Sequence, residues 1–134
     1  MKAEVVWQKS ETGLAFEGTM DDGRTLHLDG NGEGLSPMQS VLMSLGACSS
    51  VDVVEIMRKA RQPIEACVCK LEAKRAESAP RIFTHIHAEF VVKGDGIKEK
   101  HLARAVQLSC EKYCSVMLML VGKVQVSSSY VIES

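Results

Sequence analysis

Aromatic side chains are scarce, with one Trp, two Tyr and three Phe making up 4% of the 134 residues. The core must therefore be built largely from Leu, Val, Ile, Ala and Met, and with seven Met and five Cys it packs adaptably. No Lys/Arg cluster exceeds two residues, and sixteen basic against seventeen acidic residues leave a formal charge of -1. A phosphate track is missing, so nucleic acid is excluded as the expected partner. The opening MKAEVVWQKSETG has no apolar stretch and no small-residue cleavage site, and no run reaches the ~20 apolar residues of a membrane span. The expectation is a soluble, cytoplasmic protein with no membrane partner. Repeats and low-complexity tracts are absent as well. Five cysteines, an odd number without a leader, argue against a disulfide framework and for thiols that are reduced at rest.

What is present fits one globular domain over residues 1–134, with 46% hydrophobic and 25% charged residues. The first thirty residues alternate as strands do: Ala3, Val5 and Trp7, then Leu14 and Phe16, then Leu26 and Leu28. Thr12-Gly13 and the Asp22-Gly23 step separate them, which predicts a three-stranded meander with a tight second hairpin. After a Gly-rich loop, Ser36, Pro37 and Gln39 form a helix entry signal, and the helix is expected to run to about Arg61. From Val41 to Ala47 that helix is apolar on most sides, and polar residues begin only at Asp52, read as the start of a solvated face. A helix that is apolar all round is buried all round. A domain of short strands has little to wrap it with, so a second subunit is expected to supply part of its cover.

Ile64–Arg75 and Arg81–Lys93 read as two strands around a turn at Ala76–Pro80. Pairing Glu72 with His85 and Lys70 with His87 puts Cys67, Cys69, Leu71, Ile86, Ala88 and Phe90 on one face, and the histidines on the other. A slip of one residue would mix the faces. Cys67-x-Cys69 and His85-x-His87 would together suggest zinc, but this register separates them, and no metal or cofactor is called for. A second helix is expected from about Ile97 to Lys112, with Leu102, Val106, Ser109, Cys110 and Tyr113 on its apolar face. Ser115–Val121 reads as a short apolar helix ended by Gly122, and Lys123–Glu133 as a final strand.

Two thiols stand out: Cys48, inside the uncharged run PMQSVLMSLGACSSV, and Cys114, opening the apolar run of KYCSVMLML. Residue type alone leaves two readings open, an inert core thiol or one of a redox pair. Ser36-Pro37 eleven residues before Cys48, the Gly46-Ala47-Cys48-Ser49 step, APRIFTHI and EKYCSV together resemble the OsmC/Ohr family, within it the small OsmC-like proteins. The likeness spans nearly the whole chain. It implies an α+β, OsmC-like fold in an intertwined homodimer, which would account for the half-covered helix. It also implies a two-cysteine organic hydroperoxide reductase in which Cys48 attacks a small hydrophobic peroxide and Cys114 resolves the sulfenic acid as a disulfide. The reductant implied is a thiol, with dihydrolipoyl groups used by better-known members.

A thiolate in an apolar pocket needs a cation, and the family holds an arginine there, paired with a glutamate shortly after the proline. The only upstream arginine here is Arg24, and the glutamate position is Gln39. Gln39 also fits a capping box with Ser36, and Arg24 also fits a solvated turn. The alternative function is thus an OsmC-like dimeric ligand-binding or stress protein with little peroxide chemistry.

Overall fold

A computed structural model describes all 134 residues. The chain divides into two compact units, Met1–Val41 and Leu42–Ser134.

In the first unit, strands β1 (Ala3–Trp7), β2 (Ala15–Met20) and β3 (Thr25–Asp29) form an antiparallel meander in that order. Trp7 pairs with Phe16 and Phe16 with Leu28, while Val5 pairs with Gly18 and Gly18 with Leu26, so the period of two aligns one apolar face. The hairpin between β2 and β3 is one residue longer than the Asp-Gly step implied. Gly23 N–H donates to Met20 O at 2.9 Å and Met20 N–H to Arg24 O at 2.8 Å, which leaves a three-residue loop. Gly23 takes φ of 91°, the left-handed position that such a loop requires.

Helix α1 (Pro37–Lys59) begins with the expected capping box. Ser36 Oγ accepts from Gln39 N–H at 3.1 Å, and Gln39 Oε1 accepts from Ser36 N–H at 2.9 Å, so two otherwise orphaned donors are satisfied reciprocally.

In the second unit, β4 (Ala66–Arg75), β5 (Phe83–Lys93) and β6 (Gln125–Glu133) make a three-stranded sheet with β5 in the centre, antiparallel to β4 and parallel to β6. Glu72 pairs with His87 and Lys70 with Glu89, two residues from the expected register. The connection is longer than Ala76–Pro80, with Ala76 N–H reaching Ile82 O at 2.8 Å and an irregularity at Lys74/Arg75. A shift of two leaves every side chain on its expected face.

The parallel return to β6 runs through α2 (Glu99–Leu108), a π-helical turn (Ser109–Tyr113) and α3 (Ser115–Leu120). The π turn interrupts the expected helix. It rotates Tyr113 outward, where the ring is half exposed beneath Lys112 Nζ, 5.6 Å from its centroid.

The core lies between one face of this sheet and two helices. Val53 and Met57 of α1 and Leu102, Ala105 and Val106 of α2 pack with Ala88, Phe90 and Val92 of β5. Each fully buried large side chain contributes about 1.5–3 kcal/mol, whereas the two ion pairs, Arg24–Asp22 and His27–Glu17, are exposed and worth about 1 kcal/mol or less. Packing is therefore what fixes this sheet against the helices, since both ion pairs lie in the β1–β3 meander.

The buried stripe of α1 is Leu45, Gly46, Ser49, Val53 and Met57, while Val41, Met43 and Val51 remain exposed. The sequence reading that no stretch reaches span length is corrected here. By length and composition α1, with 23 residues, is long and apolar enough to cross a membrane, its most apolar 18 residues having a mean hydropathy of 1.5, although acidic Asp52 and Glu55 and basic Arg58 and Lys59 occupy its second half.

Candidate active site

Cys48 sits in the middle of α1, where small residues let the helix approach β4 closely. A Cβ added at Gly46 would lie 2.7 Å from Leu71 Cδ1 and 3.7 Å from Cys69 Sγ, so only glycine fits this contact without displacement. One turn on, the Ser50 hydroxyl lies between the thiols of Cys67 and Cys69, near enough to stabilise either as an acceptor. Those two cysteines face the core from β4. Burial pushes the Cys67 thiol up and the Cys69 thiol up to about 11, so both stay protonated near neutral pH. They are small hydrophobes here.

Cys114 has a different setting. Ser109 O accepts from Cys114 N–H at 2.8 Å, closing the π turn, and Cys114 then takes an extended conformation as the N-cap of α3. Its sulfur accepts from Met117 N–H at 3.4 Å and is fully buried. The structure also brings its thiol next to the side chain of Cys48, near enough to influence it. Burial, first, and then Cys48 and the charge of Asp52 push the Cys114 thiol up to about 11, against the opposing bond from Met117 N–H. Cys114 therefore holds its proton near neutral pH, beside the Cys48 side chain. The two cysteines, sixty-six residues apart in sequence, meet within one chain and are both free thiols.

Asp52 corrects the sequence reading. It is half buried rather than solvated, and Ser109, fully buried, shares its one hydroxyl proton between Ser49 O at 2.9 Å and Asp52 Oδ2 at 3.1 Å. Sequence reasoning placed Asp52 at the start of a solvated face and Ser109 on the apolar face of the second helix, and did not connect the two. The available signals were a carboxylate one helical turn beyond Cys48 and a serine placed among apolar positions of the second helix.

Cys110, in the π turn, is half buried and its thiol is pushed up by burial, with Glu111 and Asp52 adding to the shift against a bond from Ser128. Arg24 lies in the first unit on the β2–β3 hairpin, exposed and paired with Asp22 Oδ2 at 3.2 Å. Gln39 is engaged by the capping box. The two pairs that suggested zinc lie on opposite faces of the sheet. His87 is bonded through both ring nitrogens, to Ser127 Oγ at 2.6 Å and Ser129 Oγ at 2.9 Å, and no three candidate ligands converge.

The profile of the family described as OsmC-like protein matches residues 30–129. This chain belongs to the OsmC/Ohr family. Protein YhfA of Escherichia coli K12 is 47% identical to it over 132 residues, which cover 97% of this chain and 96% of YhfA. A crystal structure of a hypothetical protein from Aquifex aeolicus VF5 superposes on this OsmC-like chain with a TM-score of 0.85 at 34% identity, over 99% of this chain and 97% of the other. The organic hydroperoxide resistance protein OhrB of Bacillus subtilis shares the fold at a TM-score of 0.62 and 18% identity, over 98% of each chain. The α+β architecture expected from the sequence is thus the OsmC/Ohr fold.

Proposed function

We propose that this OsmC-like protein is a thiol peroxidase that reduces organic hydroperoxides through Cys48 and Cys114. The observation that carries this reading is that the two cysteine side chains come together inside one chain, Cys114 at the cap of a helix and Cys48 in the middle of another. Core thiols such as Cys67 and Cys69 have a serine for a partner instead. The Cys48 thiolate attacks the distal peroxide oxygen, the O–O bond breaks, and the alkoxide takes a proton and leaves as an alcohol. Cys48 is then a sulfenic acid, and Cys114 attacks its sulfur, giving a disulfide and water. A small dithiol of the dihydrolipoyl type reduces the disulfide by exchange and is itself oxidised, so the cycle needs no metal or bound cofactor. The apolar flanks of α1 favour a hydrophobic peroxide, and the relation in fold to organic hydroperoxide resistance proteins agrees with that chemistry.

In this reading the chain acts as a single OsmC-like domain, residues 1–134, in a cytoplasmic homodimer. A second copy covers Val41, Met43 and Val51, which explains a helix of span-like hydropathy without a membrane. Arg24 is the proposed cation for the Cys48 thiolate, because it is the only arginine upstream of it.

The competing reading, a dimeric ligand-binding or stress protein, is favoured by Gln39. Its side-chain oxygen accepts the Ser36 N–H and it carries no charge to hold an arginine. Steady-state turnover of an aromatic hydroperoxide with a dithiol reductant separates the two. The peroxidase reading predicts turnover that Cys48→Ser abolishes, that Cys114→Ser stalls after one round, and that Arg24→Ala lowers. No turnover in the parent protein together with a large gain in Gln39→Glu would instead identify a family member that lost its activity at position 39.

A further inference from the structure

Asp52 is the one carboxylate attached to the cysteine pair by more than proximity. It follows Cys48 by four residues on α1, so both side chains project from the same face. One of its oxygens accepts from the Ser109 hydroxyl at 3.1 Å, and Ser109 O in turn accepts the Cys114 N–H at 2.8 Å. The π turn that presents Cys114 is thereby tied to the helix that presents Cys48. Ser109 is fully buried, and π turns of this kind cost regular helical hydrogen bonding, so such a turn persists where side chains hold it. Asp52 also lines a groove of about 450 Å³ together with Glu55, Ile56, Lys59, Leu108 and Tyr113, so one side of its carboxylate is open.

We propose that Asp52, acting through Ser109, is a positioning residue that holds Cys114 against Cys48 and reserves it for the resolving step. The carboxylate charge, facing Cys114 and Cys110, opposes thiolate formation at both, and this adds to burial in keeping Cys114 protonated. The charged and titratable groups around it are Cys48, Glu55 and Lys59 on α1, Cys110, Glu111 and Tyr113 on the π turn, and Cys114 at the cap of α3. The roles named here rest on the two-cysteine reading, but the test does not use peroxide.

The test is the rate at which each reduced cysteine reacts with methyl methanethiosulfonate, a small uncharged thiol reagent, followed by peptide mass mapping between about pH 7 and 9. Below its pKa a thiol reacts in proportion to its thiolate fraction. Asp52→Asn keeps an acceptor for Ser109 and removes the charge, so Cys114 and Cys110 should react about three- to tenfold faster at fixed pH, with Cys67 and Cys69 unchanged. Asp52→Glu, which keeps the charge, should restore the parent rates. Ser109→Ala lets the carboxylate swing into the groove and should accelerate Cys114 by about two- to threefold; it serves if the Asn variant does not fold. Unchanged rates at Cys114 would overturn the proposal, and so would equal acceleration of all four thiols, which reports general loosening. If the selective pattern appears in a protein that turns over no peroxide, the peroxidase reading fails while the control of Cys114 by Asp52 stands.

Discussion

Raising the pH should destabilise the reduced protein, and one side chain accounts for a definable part of the loss. In the folded chain the Cys114 thiol is pushed from an ordinary value of 9.0 up to about 11, chiefly by burial. Between those values the unfolded chain has given up this proton while the folded chain still holds it, so stability is fully present below about pH 9 and is lost as pH rises toward 11. From about pH 8 to pH 10 the cost at this one group is about 1.3 kcal/mol, rising toward about 2.7 kcal/mol once the folded value is passed. Cys67, Cys69 and Cys110 are shifted in the same direction, so the total alkaline loss exceeds this figure, and a control must isolate Cys114. Cys114→Ser provides it, since serine is a preferred helix cap and can take over the bond from Met117 N–H without titrating. Urea unfolding under reducing conditions, with slopes of about 1–3 kcal/mol per molar, should show the parent midpoint falling by about 0.5–1 M more than that of Cys114→Ser over this range. Equal falls in the two proteins would refute the reasoning, because Cys114 would then titrate alike in both states.

At Gly46 two effects compete: alanine gains about 1 kcal/mol of helix propensity, and its Cβ meets Leu71 Cδ1, the movable end of a half-buried side chain, at 2.7 Å. Gly46→Ala should thus stay within about 1 kcal/mol of the parent in thermal unfolding, whereas Gly46→Val, with more bulk toward Leu71 and Cys69, should lose about 2–3 kcal/mol. Ser36→Ala removes the acceptor for Gln39 N–H and should cost about 1 kcal/mol, while Gln39→Glu keeps the box, adds a favourable charge in the first turn, and should be neutral or up to about 1 kcal/mol stabilising. Equilibrium denaturation of the two variants checks both signs.

What could be read from the sequence follows from which signals are local. The capping box at Ser36 and Gln39 was legible because its partners are three residues apart and of fixed chemistry. The faces of β4 and β5 were legible although their register was not, because side chains alternate with a period of two and the true pairing differs by two. Gly122 was read correctly as the end of the short helix, and it takes φ of 91°. The π turn was not legible. A 3.6-residue period continues smoothly through Ser109 and Cys110 to Tyr113, and nothing local reveals the one extra residue that turns Tyr113 outward. Asp52 was misread for the same reason, since its partner Ser109 lies fifty-seven residues away and reaches it only through the π turn. Within the candidate site, Cys48 and Cys114 could be singled out from the apolar runs that carry them, but that the fold brings their side chains together inside one chain, near Ser109 and Asp52, could not be read locally.

The central claim, that Cys48 and Cys114 are a redox pair, is tested most directly in a single turnover. Reduced protein is mixed with one equivalent of an aromatic hydroperoxide, remaining thiols are counted, and the linkage is mapped by mass spectrometry beside Cys48→Ser. The account predicts rapid loss of two thiols per chain, a Cys48–Cys114 disulfide within one chain, and no loss in the variant. Survival of all five thiols, or a disulfide joining any other pair, would contradict it.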